Sequence, residues 1–344
     1  MRITDLRAWQ PQCKSPPDWR TTMGQIAVAV NTDSGLCGVG VGGGGLAGVH
    51  IVQTVLRDLL VGRDAQPVDV LWDAMYEATL AFGRKGVAIM AISGVDLALW
   101  DLRGKSAGKS VAELLGGPIH ATMPTYSTVW DVESLPENTS GAYKLHLGKE
   151  PDSRTLVDIV RRARDRVGPA ATLMVDAWMK WDVASTLQFA EAVAPLGIAW
   201  IEEPLPPDDL KGYAELTRRS PIPIAGGEHE FTAAAFAELI ERRLHHIVQP
   251  DVCWCGGMTE LVKIYRVAKE HGVRVCPHRG AELWGLHAIA ALDPQPLAES
   301  GRPWMTWVGG QPPIKDGIIA APSGPGFGAL IQEIIHEGHE DHEE

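Results

Sequence analysis

Short apolar runs alternate with helical patterns through most of the chain, from about Met123 to Ser300. In order, the runs are YSTV, AYKLHLG, TLMVDAW, IAWIEEP, IPIAGGE, HHIVQPD, VRVCPH and PLAES. Most are separated by helical stretches such as DSRTLVDIVRRARDRVG and GMTELVKIYRVAKEHG. Strands that alternate with helices are typical of parallel βαβ units, and eight such strands suit a closed barrel.

The residues before this region follow a different pattern. QIAVAVNT and LCGVGVG alternate around the turn DSG, which predicts a β-hairpin over about residues 25–40. Helical patterns follow the glycines Gly42–Gly45, in LAGVHIVQTVLRDLLVGR, in DVLWDAMYEATLAFG and from about Val87 to Lys105. A hairpin followed by several helices predicts a separate α+β unit. After Trp307, the Gly/Pro-rich stretch GGQPPIKDGIIAAPSGPGFGALI is predicted to pack back on this unit.

Three segments are therefore expected: an α+β capping domain over residues 1–118, a barrel over 119–309, and a return to the cap over 310–344. The last of these ends in HEGHEDHEE, a charge run with three histidines. A solvated tail is favoured there over a metal-binding one.

Composition and charge narrow the class of protein. The 344 residues carry a formal net charge of −12, which argues against nucleic acid or an anionic membrane as a partner. The N-terminus lacks an apolar signal core, and the longest apolar stretch, GVAIMAISGVDLALW, is broken by Ser93 and Asp96. Five cysteines without disulfide-framework spacing favour reduced thiols. A cytoplasmic protein that acts on a small molecule is expected.

Acidic residues follow three consecutive runs at equal spacing. Asp176, Glu202 and Glu228 lie 26 residues apart, each after an apolar run. The C-terminal ends of barrel strands meet at one mouth, so these acids are expected to converge there. A cluster of carboxylates repels itself unless a cation neutralises it, and hard oxygen ligands favour Mg²⁺ over Zn²⁺.

Further polar groups end the neighbouring runs. Asp251 and His278 follow the sixth and seventh, which places them within expected hydrogen-bond reach as a carboxylate-oriented general base. Lys144 and His146 share one face of the second strand and are expected to point into the mouth. Basic groups on two sides of a Mg²⁺ ion suit abstraction of a proton α to a carboxylate.

These motifs resemble the mandelate racemase subgroup of the enolase superfamily over nearly the whole chain. The matching stretches are MAISGVDLALWDLRGKSAGKSVAELLGG, VDAW, WIEEP, GGEHE, QPDVCWCGG, CPH, LAES and PGFG. The resemblance implies an α/β fold, a modified TIM-type (β/α)7β barrel with an α+β capping domain formed from both termini. It also implies one Mg²⁺ per subunit on Asp176, Glu202 and Glu228, a base dyad Asp251–His278, and contact of Glu299 with the substrate.

Within that subgroup the chain is most similar to acid-sugar dehydratases of the L-rhamnonate dehydratase type. The resemblance implies loss of the C2 proton and the C3 hydroxyl of an aldonate, to give a 2-keto-3-deoxy acid. The chain departs from the subgroup's frequent Lys-x-Lys on strand two, because it has Lys144-x-His146. Two mechanisms stay open. Either His278 serves both proton transfers on one face, or His146 or Lys144 serves the opposite face.

Other residues are candidates for contacts with substrate. Trp19 and Arg20 lie in an early loop that is a candidate lid, and Trp178, His229 and Arg279 follow barrel strands. Further candidates are the mouth tryptophans Trp254, Trp284, Trp304 and Trp307, and Lys180.

Two rival functions remain at this point. One is racemisation or epimerisation at the α-carbon. The other is a non-catalytic or NAD-linked barrel. Gly38-x-Gly40-x-x-Gly43 fits the dinucleotide fingerprint, but the segment before it pairs as a hairpin. A homo-oligomer is also expected.

Overall fold

A computed structural model describes residues 1–11, 24–147 and 153–331. All eight predicted runs form parallel strands of one barrel sheet. The strands are β4 (Thr122–Val129), β5 (Ala142–His146), β6 (Thr172–Asp176), β7 (Ile198–Glu202), β8 (Ile224–Gly226), β9 (Ile247–Val248), β10 (Arg274–Val275) and β11 (Ala298–Glu299). Their order in the sheet is β10-β9-β8-β7-β6-β5-β4-β11. The two ends of this path approach each other where the Cys276 thiol donates to the Leu297 carbonyl at 3.5 Å.

Helices cover six of the seven connections between these strands. They span Ser153–Val167, Val183–Val193, Leu210–Arg219, Thr232–Glu241, Gly257–His271 and Leu283–Leu292. Residues 130–141, between β4 and β5, form turns instead. Short polar side chains begin two of the helices, because Asp182 and Asp209 accept hydrogen bonds from the free amides of the first turn.

Apolar side chains fill the barrel interior below the mouth. The layer consists of Tyr126, Met174, Trp200, Ala225, Ile247 and Cys276. Tyr126 and Trp200 meet edge to face, with ring centroids 5.7 Å apart. Trp200 and Glu202 are two residues apart on β7, so both point into the barrel and Glu202 lies one layer nearer the mouth. This packed floor excludes water from beneath the polar groups.

The capping unit contains the predicted hairpin, formed by β2 (Ile26–Thr32) and β3 (Cys37–Gly42). A third strand, β1 (Ile3–Trp9), pairs antiparallel with β2 and was not predicted. The cap helices span Gly45–Ile51, a π-helical turn Val52–Leu56, Arg57–Leu60, Val68–Gly83, Val87–Ala107 and Val111–Leu114.

The glycines of β3 allow the long cap helix to approach the sheet. A Cβ at Gly38 or Gly40 would lie 2.1–2.2 Å from carbonyl oxygens of the helix Val87–Ala107. A Cβ at Gly42 would lie 2.4 Å from another. Because β3 pairs antiparallel with β2, this glycine series belongs to a hairpin rather than to a parallel βαβ unit. Its role is close packing of helix on sheet.

Buried polar contacts hold the cap over the mouth. Asp96 of the long cap helix accepts from the amide (3.0 Å) and the hydroxyl (2.5 Å) of Thr259, on the barrel helix that follows β9. The indole of Trp72 donates to the Gly256 carbonyl at 2.7 Å. These bonds fix the connection after β9, which carries Asp251, against the cap.

The C-terminal stretch contacts both units. Strand β13 (Ile318–Ala320) pairs antiparallel with β4, and β14 (Leu330–Ile331) pairs with β12 (Val308–Gly309). The Phe327 amide donates to Asp101 of the cap at 2.9 Å. The domain limits at 118 and 309 and the homo-oligomer stay predictions.

Four of the five cysteines lie in the part of the chain that the structure describes. Cys37, Cys253, Cys255 and Cys276 are all free thiols there. In the same part, each helix is too short or too polar to cross a membrane.

Candidate active site

A cavity of about 470 Å³ opens at the C-terminal ends of the barrel strands, under the cap. It is lined by Gln25, Trp130, Lys144, His146, Asp176, Trp178, Glu228, His229, Trp254, His278, Arg279, Arg302 and Trp304. Most of the predicted site residues are in this set. Glu202, Asp251 and Glu299 lie just behind the cavity wall and are almost fully buried. Trp19 and Arg20 are outside the described residues.

Strand register brings the predicted acids together. Asp176 lies beside Glu202 across β6 and β7, and Glu202 lies beside Ala225 of β8, three residues before Glu228. Burial raises the pKa of Asp176 to about 7, although Lys144 acts against that rise. Burial likewise raises the pKa of Glu202 to about 7, with the same opposition from Lys144. The site is therefore a buried cluster of carboxylates that is short of positive charge.

Lys144 lies at the centre of this cluster. Its Nζ contacts Glu202 Oε1, and it is 3.0 Å from Glu299 Oε1 and 3.6 Å from Asp176 Oδ2. Burial lowers the pKa of the ammonium, but the carboxylates outweigh this and raise the pKa well above its ordinary value. These surrounding carboxylates favour the charged form of Lys144, and an ammonium in this position attracts anionic groups.

A second acid of β7 approaches Glu228 from the other side. Glu203 accepts a hydrogen bond from His229 Nδ1 at 2.7 Å, and the same nitrogen is 3.7 Å from Glu228 Oε1. Among the described residues, Glu203, Glu228 and His229 are the set whose ligand atoms all lie within 4.8 Å of one another. Burial acts to lower the pKa of His229, yet Glu203 and Glu228 raise it to about 9.

Glu202 and Glu203 therefore differ in their surroundings. Glu202 Oε1 accepts from Lys144, and its Oε2 accepts from Trp200 (3.1 Å) and from Gln249 (2.6 Å). Glu203, which has a positive φ of 37°, accepts instead from the Gly227 amide at 3.3 Å and from His229. The sequence named only the first acid of the pair, and Glu203 is the one whose ligand atoms lie within 4.8 Å of those of Glu228 and His229.

The expected dyad is present. His278 Nδ1 donates to Asp251 Oδ2 at 2.9 Å, and the opposite ring nitrogen, Nε2, is 3.2 Å from Glu228 Oε2 and 4.0 Å from Glu299 Oε2. Burial lowers the pKa of the imidazole, but Glu228 and Asp251 outweigh it and raise the pKa above its ordinary value. The dyad therefore aims Nε2 at the carboxylate cluster.

Glu299 ends β11 on the floor of the site. Its oxygens accept from the Thr128 hydroxyl and, at 2.9 Å, from the Arg279 amide, and the Arg279 guanidinium is 3.6 Å away. Burial acts to raise the pKa of Glu299, but Lys144 and Arg279 hold it well below its ordinary value.

Arg302 is a member of the site that the sequence patterns do not indicate. It follows β11 by three residues, is 6 % exposed, and forms ion pairs with Asp251 and with Glu282. Burial acts to raise the pKa of Asp251, but Arg302 and His278 hold it below its ordinary value. A charged residue two positions after the eighth apolar run was the one available signal.

Aromatic rings form much of the wall. The His146 ring packs against Trp130, with ring centroids 4.1 Å apart and the planes tilted by 32°, and lies 6.0 Å from the Trp178 ring. Trp254 lies 6.0 Å from the His278 ring. Trp130 was not predicted, because it lies in a connection without any periodic pattern.

Three expected contacts do not lie at the mouth. Trp284 packs on Phe327, with ring centroids 5.3 Å apart, because the helix Leu283–Leu292 turns it toward the C-terminal return. Trp307 is buried in the main core. Lys180 is exposed, with its Nζ 5.1 Å from the Trp178 ring centroid and outside the cavity wall.

Comparisons with known proteins agree with this arrangement. Residues 132–335 match the family described as enolase C-terminal domain-like. Residues 16–116 match the N-terminal domain of mandelate racemase / muconate lactonizing enzyme. An L-rhamnonate dehydratase of Saccharopolyspora erythraea is 38% identical over 326 residues, which are 90% of this chain and 83% of that protein.

Solved structures are similar along nearly the whole chain. The L-rhamnonate dehydratase of Gibberella zeae has a TM-score of 0.85 and 30% identity, over 96% of this chain and 94% of that one. A racemase of Streptomyces coelicolor A3(2), solved with bound magnesium, has a TM-score of 0.86 and 31% identity, over 96% and 97%.

Proposed function

The chain belongs to the mandelate racemase/muconate lactonizing enzyme family of the enolase superfamily, and we propose that it is a Mg²⁺-dependent dehydratase of sugar acids. The observation that carries this proposal is His278, oriented by Asp251 and aimed at a buried carboxylate cluster. Dehydratases of acid sugars among the relatives support the reaction class.

The residues present fit a hard divalent cation. Asp176 and Glu228 line the cavity, Glu202 lies beside Asp176 in the sheet register, and all three are buried carboxylates. We assign these three as the Mg²⁺ ligands, because oxygen donors suit Mg²⁺ better than the imidazole of His229. When bound, the ion supplies positive charge that stabilises the carboxylate side of the substrate as its α-proton leaves.

Neutralising Glu202 and Glu203 separately tests this assignment. We expect Glu202→Gln to weaken Mg²⁺ binding by more than about 100-fold, and Glu203→Gln by about 10-fold, as for a residue that only supports a ligand. Titration calorimetry with Mg²⁺ measures both variants. The reverse order would identify Glu203, with Glu228 and His229, as the metal site.

Two basic side chains of the site, Lys144 and Arg279, are proposed to bind the carboxylate of the substrate. Lys144 Nζ lies 3.0 Å from Glu299 at the floor, and the Arg279 guanidinium lies 3.6 Å from the same carboxylate. A substrate carboxylate that replaces part of the contacts of Lys144 would place its α-carbon near His278 Nε2. The C–H groups of the sugar would then pack on the flat indole faces of Trp178 and Trp254.

His278 is proposed to serve both proton transfers. Its neutral Nε2 accepts the C2 proton, and the bond electrons move toward the carboxylate. As the C3–oxygen bond breaks, the imidazolium returns the proton to the departing hydroxyl, which leaves as water. The enol that results tautomerises to the 2-keto-3-deoxy acid. Asp251 holds the ring in place throughout.

The opposite face is occupied differently. The His146 ring packs at a tilt against Trp130, and its Nε2 lies 4.0 Å from Asp176 Oδ2. We therefore propose that His146 orients groups around the acid cluster and that a base on the second face is not used. Racemisation or epimerisation, the alternative reaction at the α-carbon, needs that second base.

A screen of acid sugars tests the proposed function. With Mg²⁺ present, we expect at least one aldonate to give a 2-keto acid, detected as its semicarbazone, and EDTA to stop the reaction. A stereoinverted product without any keto acid would favour the racemase. Consumption of NAD, or turnover that chelation leaves unchanged, would contradict the proposal.

A further inference from the structure

Arg302 is a buried cation that neither proton transfer nor metal binding accounts for. Its side chain is 2 % exposed, at the wall between the cavity and the Asp251 side chain. A buried charge is retained in a fold only where partners compensate for its lost hydration. The identity of those partners indicates what Arg302 does.

Glu282 clamps Arg302 at two points. One carboxylate oxygen accepts from the Arg302 backbone amide at 2.7 Å, and the other accepts from the guanidinium Nη1 at 2.6 Å. Glu282 therefore fixes both the backbone and the guanidinium group of Arg302. The guanidinium carbon also lies 5.4 Å from the centroid of the Trp254 ring, which confines it on a further side.

The other end of the guanidinium fixes Asp251. Arg302 Nη2 donates to Asp251 Oδ2, the oxygen that also accepts from His278 Nδ1. Asp251 Oδ1 accepts from the Cys253 amide at 2.8 Å. Rotation of the carboxylate would break these bonds together, so the position of the His278 ring depends on Arg302.

We propose that Arg302 is a positioning residue that holds Asp251, and through it His278 Nε2, in line with the α-carbon of the substrate. The proposal rests on the dehydratase function proposed above. Glu282, Arg302, Asp251 and His278 then form one chain of hydrogen-bonded groups, from the start of the helix that follows β10 to the reacting proton. Arg302 contacts no reacting atom in this arrangement.

Arg302→Met tests the proposal in the full-length protein loaded with Mg²⁺. We expect kcat to fall about 100-fold, because a misplaced base loses rate even when substrate still binds. KM and the Kd for Mg²⁺ should stay near the wild-type values. Arg302→Lys should lose less, because an ammonium reaches one carboxylate but not both in the same geometry.

Arg164→Met is the matched control. Arg164 is also a structural arginine, but it donates to the backbone carbonyls of Gly168, Ala171, Leu196 and Gly197, away from the mouth. We expect this variant to lose thermal stability and to keep kcat. If both arginine variants lost kcat in proportion to their loss of stability, Arg302 would have only a structural role.

The kinetics of Glu282→Gln and the rescue of Arg302→Ala by guanidinium ion test the same role of Arg302. If Arg302→Met does not fold, Glu282→Gln keeps the guanidinium but loosens its clamp, and should lower kcat by a smaller factor with KM unchanged. Added guanidinium ion should partly restore kcat to Arg302→Ala. A rise in KM at constant kcat in these variants would instead make Arg302 a substrate contact and overturn the proposal.

A readout without turnover separates this inference from the proposed function. The proton that His278 Nδ1 donates to Asp251 should give a low-field NMR resonance, assigned by its loss in His278→Asn. We expect Arg302→Met to shift or broaden it. If it does and no acid sugar reacts, the proposed function fails and the positioning role stands. An unchanged resonance with unchanged kcat would remove that role.

Discussion

Replacing His278 by asparagine should lower turnover by about 10²- to 10⁴-fold, the range that a general acid–base residue contributes. Asparagine keeps a polar group near Asp251 but has no nitrogen that accepts a proton. The loss should appear in kcat, because Lys144 and the carboxylates that face the substrate remain. Binding of Mg²⁺ should persist, since Asp176, Glu202 and Glu228 are unchanged.

Exchange of the α-proton isolates the step. We expect His278→Asn to stop incorporation of solvent deuterium at C2 of an acid sugar that the wild-type protein accepts. NMR of the recovered substrate measures this directly, and titration calorimetry reports Mg²⁺ in parallel. Unchanged exchange would assign the base to another residue, and His146 would then be the first to replace.

His287→Asn is the matched control for this variant. His287 is fully buried, and its ring contacts the Ala112 amide at 3.0 Å and the Phe327 carbonyl at 3.1 Å. Its substitution should lower the melting temperature and leave exchange intact. If exchange fell equally in both histidine variants, the loss in His278→Asn would reflect disturbed folding.

Much of the site could be predicted because each strand brings one group to the mouth. Asp176 and Glu202 end apolar runs of equal length, so the parallel register that buries those runs also pairs the two acids. Asp251 and His278 follow the same logic on β9 and β10. The periodic pattern of strands is enough to predict which residues lie at the mouth, because the C-terminal ends of all the barrel strands meet there.

Residues outside that logic could not be predicted. Arg302 depends on Asp251 and Glu282, which are 51 and 20 residues away in the chain. Trp130 lies in the turns between β4 and β5, and only the fold shows that it covers His146. Trp284 was wrongly expected at the barrel mouth. It follows a strand end in the sequence, but that position does not determine which side of its helix the residue occupies, and it packs on Phe327.

The sequence analysis left Lys144 as a candidate base, whereas the structure places its ammonium among three carboxylates. The alternation along β5 correctly predicted that Lys144 and His146 share a face. It did not predict that Lys144 would lie against three acids while His146 would lie against two indoles. Length explains the difference, because the lysine chain reaches the centre of the mouth.

Lys144→Gln should therefore separate stability from metal binding. Without Mg²⁺, we expect the free energy of unfolding to fall by about 3–5 kcal/mol, because Glu202, Glu299 and Asp176 lose their buried cation. Turnover should fall by about 10²- to 10³-fold, the usual effect of removing a group that stabilises developing charge. Thermal unfolding in EDTA and steady-state assays measure the two effects.

The response of this variant to Mg²⁺ decides whether Lys144 and the ion balance the same carboxylates. If they do, removing the lysine removes a competing positive charge, so Mg²⁺ should bind roughly tenfold more tightly, or ~1.4 kcal/mol. Added Mg²⁺ should then raise the melting temperature more in Lys144→Gln than in the wild type, since a ligand that binds only the folded state stabilises that state more as its affinity rises.

Lys105→Gln is the control variant, because it breaks the ion pair of Lys105 with Asp101 at 2.7 Å in the cap. It should be destabilised equally with and without the ion. Weaker Mg²⁺ binding in Lys144→Gln would show that Lys144 organises the ligands, and that the ion and the lysine act on different oxygens.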